Sequence, residues 1–109
     1  MARMRKTVTL RWLRQQDACR TGLHWFKDKF GATGSPSPLV LANAIWKNGK
    51  EHWIGWMFKH VLPPELFAQW AKADDQLCGR YGLGQPKKLA AAERRLDYRY
   101  LKLAMKETS

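Results

Sequence analysis

Proline placement constrains this chain more than any other feature. Inside a helix a proline removes a backbone hydrogen bond and clashes with the preceding turn, at about 3 kcal/mol or more, and inside a central strand it breaks the ladder. The five prolines, at positions 36, 38, 63, 64 and 86, must therefore stand between elements or in first turns. The segments they delimit carry apolar residues at helical spacing. After Thr9 as a cap, residues 10–16 put Leu10 and Leu13 on one side and Arg11 and Arg14 on the other. Asp17 reads as the cap of a second helix over residues 18–30, in which Cys19, Leu23, Phe26 and Phe30 form one stripe and Gly31 supplies the C-terminal cap.

Residues 31–37 are rich in Gly and Ser and read as a loop, with Ser37 and Pro38 opening a helix over 38–47 that stops near Asn48 and Gly49. Residues 38–44 (PLVLANA) are also compatible with a short buried strand. A fourth helix over 51–61 places Trp53, Trp56, Met57 and His60 on one face, and Pro63 ends it. Pro64 opens a fifth that aligns Leu66, Trp70, Ala73 and Leu77, and Gly79, Gly82 and Gly84 interrupt the chain after it. The last helix, over 86–105, turns Leu89, Leu96, Tyr100 and Leu103 inward and Lys88, Arg94, Arg95, Arg99, Lys102 and Lys106 outward. Strand-like alternation is absent elsewhere and no internal repeat is visible. The expectation is an all-α, compact single domain over 1–109, with five to six short helices, a longer basic C-terminal helix and a flexible basic arm over 1–8.

Charge distribution carries the functional argument. The 109 residues hold 20 Lys and Arg against 9 Asp and Glu, a net charge of +11. Residues 1–30 contribute +6, residues 79–109 contribute +5, and residues 31–78 are balanced. Self-repulsion of this size adds nothing to stability and points to a polyanionic or acidic partner. Because the termini of a compact domain often lie together, the two basic ends are expected to combine into one face built from Arg11, Arg14, Arg20, Lys27, Lys29, Lys88, Arg95, Arg99, Lys102 and Lys106. If that face neutralised about six phosphates, affinity would fall with salt on a log–log slope of about −5. The opposing reading is that these are ordinary solvated helix faces.

Other chemistry is thin. Cys19 and Cys78 have no CxxC or Cys/His spacing, so neither a disulfide framework nor a zinc site is expected, and both read as small buried apolar groups. His52 and His60 are two helical turns apart, too far to share an ion. GRYGLG at 79–84 lacks the strand before it and the GK[ST] element of a phosphate loop. No catalytic residue, metal ligand or cofactor is assigned. Of the six Trp, four or five read as core and one or two as exposed, with Trp25 the best exposed candidate because it lies off the apolar stripe and near Lys29. The longest nearly apolar stretch, residues 53–62, is half of a membrane span, no secretory signal is present, and a cytoplasmic location follows.

Ala18, Cys19, Trp25, Phe26, Phe30 and Gly31, followed by the Trp-rich stretch 53–62 (WIGWMFKHVL), resemble a pattern of small bacterial and phage reading frames: ACxxxxxxFxxxFG, a spacer, then a Trp-rich helix ending in paired aliphatic residues. The resemblance covers residues 10–70 and implies a helical fold in a mobile-element setting, with no activity or site residue attached. The leading expectation is a nucleic-acid-binding or nucleoprotein-binding protein, with no base-reading motif. Two other readings stand beside it. One is a host-directed inhibitor, anti-CRISPR-like, docking on an acidic protein complex; the other is a phage structural or assembly protein. Oligomeric state is not legible.

Overall fold

The computed structural model describes residues 5–81 and 84–108, so the expected break at Gly82 lies outside the described residues. Six α-helices and no strand occur among them: α1 (Leu10–Gln15), α2 (Arg20–Phe30), α3 (Pro38–Lys47), α4 (Ile54–Val61), α5 (Pro64–Tyr81) and α6 (Pro86–Thr108), with a 3₁₀ turn (Glu51–Trp53) before α4. The fold is an all-α bundle, and residues 38–44, with their alternative strand reading, are helical.

Local chemistry accounts for the boundaries. Thr9 Oγ1 accepts from the Trp12 N–H at the start of α1, and Ser37 Oγ accepts from the Val40 N–H with Pro38 as the first residue of α3. Asp17 does not cap α2. It sits at φ +58°, and its N–H bonds Arg14 O while the Ala18 N–H bonds Leu13 O, the paired bonds of a Schellman end to α1. The cap of α2 passes to Cys19, whose Sγ accepts from the Gly22 N–H at 3.4 Å. Gly49, at φ +68°, closes α3 in the same way, with the Lys50 N–H bonded to Ile45 O. Ser37→Ala is expected to lower stability by about 1 kcal/mol, read as a melting temperature about 5 °C lower; an unchanged melt would mean that water replaces the hydroxyl at this exposed end.

The core gathers residues from every helix, with Val8, Phe26, Pro38, Phe58 and Leu101 fully enclosed. The expectation of a flexible arm over 1–8 does not hold at Val8. Residues 1–4 lie outside the described residues, while Val8 is buried, bonds Pro36 O through its N–H, and follows an Arg5 whose guanidinium lies 4.8 Å from the Trp12 ring centre. Two inward faces are rotated by about one residue from expectation. In α4 the buried set is Ile54, Met57, Phe58 and Val61, and Trp53, Trp56 and His60 lie to its side. In α6 it is Asp97, Leu101 and Ala104, and Leu103 is exposed. Both cysteines, expected to be buried, are exposed. Helix α6 packs chiefly along α5 and also on α3, whereas α1 and α2 pack on each other.

Candidate nucleic-acid interface

A 23-residue helix with one inward stripe must present the rest of its circumference to solvent, and in α6 that remainder is basic. Lys88, Arg95, Arg99, Lys102 and Lys106 are all exposed and recur at intervals of seven, four, three and four residues, which aligns them in a row about 27 Å long. The helix opens with Lys87 and Lys88 and has no acidic residue in its first turn. Cations at that end oppose the helix dipole at roughly 0.3–1 kcal/mol each, so the arrangement is unfavourable for the helix itself.

Beside this row lies an open groove of about 660 Å³ between α3 and α6, lined by Asn43, Trp46, Ala90, Ala91, Arg94, Arg95 and Tyr98. The two alanines are short enough to leave room over the helix backbone. Tyr98 is 44% exposed, and the Lys102 Nζ stands 4.8 Å from its ring centre. An aromatic face, two guanidiniums and an amide thus converge on one depression.

The inward side of α6 has the opposite sign. Asp97 is 3% exposed, and its two oxygens accept from the indole N–H groups of Trp46 on α3 and Trp70 on α5, each at 2.8 Å. Burial pushes this carboxyl up to about 6, and the Asp74 charge adds to the effect, against the two indole bonds that favour the ionised form. Glu93, one turn earlier, rises to about 7 through burial, a hydrogen bond with Asp74, and the charges of Asp74, Asp97 and Glu51. The Cys78 thiol is also raised, by burial and then by Asp74, Glu93 and Asp75. Ligand atoms of Asp74, Cys78 and Glu93 lie within 4.8 Å of one another, close enough to surround a metal ion. The closeness of Glu93 to Asp74 favours the protonated form of Glu93.

Five of the expected site residues lie together on α6, and the other five lie on α1 and α2. Arg11 and Arg14 on α1 and Arg20, Lys27 and Lys29 on α2 are exposed, but no Cα of either helix lies within 8 Å of α6. The two groups of cations thus stand on helices that do not pack directly against each other. Trp25 is not the exposed aromatic. It is half-buried, with its ring edge-on to Trp53 at 5.5 Å and to Phe30 at 6.2 Å, and no Trp among the described residues is exposed. Tyr98 takes that place. It follows Arg94 by four residues, and that spacing on a helix was the available signal. No family model matches the chain, and neither a curated protein nor a solved structure is similar to it. No helix of the described residues is long and apolar enough to cross a membrane.

Proposed function

We propose that this protein binds nucleic acid, free or within a nucleoprotein, through the outer row of α6 and the α3–α6 groove, with a preference for single strands. The observation that carries the reading is the groove, where exposed Tyr98 stands among Arg94, Arg95 and Asn43 over an alanine floor. Single-strand sites combine a cationic track for the backbone with an aromatic face on which an unpaired base stacks. Duplex bases are already stacked and offer no such face. The two lysines set against the dipole at the start of α6 support the same reading, since they help a polyanion and not the helix.

Contact with about five phosphates gives a log–log salt slope of about −3.5 for a single strand. A titration of labelled single- and double-stranded DNA and RNA from about 50 to 300 mM salt is expected to show that slope and tighter binding of single strands. Arg95→Glu with Arg99→Glu is expected to weaken binding at least fivefold at 50 mM salt while moving the melting temperature by no more than about 2 °C, because both side chains are solvated. Unchanged affinity in that double variant would overturn the assignment.

A further inference from the structure

Carboxylates are scarce in this chain, yet they are not dispersed. Of the nine Asp and Glu, Glu51, Asp74, Asp75, Glu93 and Asp97 gather in one place, where Glu93 feels the charges of Asp74, Asp97 and Glu51, and Cys78 those of Asp74, Glu93 and Asp75. A cavity of about 290 Å³ at this place is lined by Glu51, His52, Asp74, Glu93 and Asp97, and by no Lys or Arg. In a chain of net charge +11 that local lack of cations is the exception. The cluster also holds a softer donor, the exposed thiol of Cys78. Asp74 and Cys78 lie one turn apart on the same face of α5, and Glu93 reaches them from α6, so that the three ligand atoms stand within 4.8 Å of one another. A separate observation concerns Asp74 alone: its Oδ1 is enclosed and receives no hydrogen bond. A buried polar atom without a partner marks a place for a water or an ion, and here the surrounding groups are anions.

We propose that Asp74, Cys78 and Glu93 form a binding site for Zn²⁺, with these three ligands from α5 and α6 and a water in the fourth position. The thiol decides the metal. Mg²⁺ and Ca²⁺ take oxygen ligands, whereas Zn²⁺ accepts sulfur and carboxylate oxygen in one tetrahedral shell. Zinc–ligand bonds of about 2.0–2.3 Å set the ligand atoms about 3.3–3.8 Å apart, so the three groups close in by about 1 Å. Rotation of the exposed Cys78 and partly exposed Glu93 side chains supplies that movement. As the ion binds, the Cys78 thiol and the Glu93 carboxyl each release a proton to solvent. The ion supplies the positive charge that no Lys or Arg brings to this cluster, gives Asp74 a partner and ties α5 to α6. The site shares no residue with the outer row of α6 or with the α3–α6 groove, and it stands whether or not the chain binds nucleic acid.

The test titrates the full, metal-free chain with Co²⁺, a coloured stand-in for Zn²⁺, and then with Zn²⁺ in competition. Co²⁺ is expected to bind as one equivalent and to give a near-ultraviolet thiolate-to-cobalt charge-transfer band, and Zn²⁺ to displace it with Kd below about 10 µM near neutral pH. Cys78→Ser is expected to abolish the band and to weaken Zn²⁺ at least about tenfold. Glu93→Gln is expected to keep the band and to weaken Zn²⁺ by a similar factor, and it keeps the test available if Cys78→Ser does not fold. Cys19→Ser is expected to change neither, since Cys19 caps α2 and is not one of the three ligands. The proposal is overturned by absence of the charge-transfer band, by a Zn²⁺ Kd weaker than about 10 µM, by a band that Cys19→Ser removes and Cys78→Ser leaves in place, or by either ligand variant binding Zn²⁺ as tightly as the parent.

Discussion

Asp97→Ala is expected to destabilise the fold by about 3 kcal/mol and to lower the melting temperature by roughly 15 °C at pH 7. The change strands two indole N–H groups at once, those of Trp46 and Trp70, which the carboxylate now receives at 2.8 Å each. A buried donor without a partner costs about 1–3 kcal/mol, and relief from burying a charge offsets part of that. Asp97→Asn keeps one carbonyl acceptor and turns an NH₂ toward the second indole, so its melt is expected to fall between those of the parent and the alanine variant. Thermal melts of the three proteins decide the matter. An alanine variant melting within about 3 °C of the parent would mean that water reaches both indoles and that Asp97 anchors nothing.

Stability is also expected to fall as pH rises from 5 to 8, by about 2 kcal/mol, which corresponds to a melting temperature about 10 °C lower. The sign follows from the two raised carboxyls, Asp97 at about 6 and Glu93 at about 7, against ordinary values of 3.8 and 4.5. Between those limits the folded chain holds protons that the unfolded chain releases, so the stabilising contribution is full at low pH and is lost as pH climbs through the folded values. Glu93 is partly exposed, and its share is reduced by solvent screening. Asp97→Asn should flatten the part of the profile near pH 6. Melts that are level or rising from pH 5 to 8 would contradict the arrangement of Asp74, Glu93 and Asp97.

Helix boundaries were readable from the sequence because they depend on neighbours in the chain. Ser37 and Pro38 mark the start of α3, and Gly49 its end, by backbone geometry alone. Asp17 misled, since the same residue type serves as an N-cap or tolerates positive φ, and the choice rested on which helix end lay nearer. The faces of α4 and α6 were less legible, because period alone leaves an error of one residue, about 100° of rotation. What fixes them is contact with other helices: Phe58 meets Trp70 at 4.9 Å, and Asp97 meets two indoles. An acid on the inward stripe of a basic helix, in a chain with six Trp, was the available sign that indole donors converge there. The row on α6 was legible because exposure of charged residues needs no partner. That α1 and α2 do not pack directly on α6 was not, since it depends on the arrangement of all the helices together.

The bridge at Asp97 has a mechanical consequence for the surface on its far side. Two indoles from different helices grip one carboxylate, much as a key locks a shaft in its hub, and so α6 has a fixed angular setting about its own axis. A slip of one residue would swing Lys88, Arg95, Arg99 and Lys102 through about 100°. The backbone positions that carry the cations are therefore set at the pitch of the helix before any ligand arrives, and only the rotamers of the long side chains remain to be ordered.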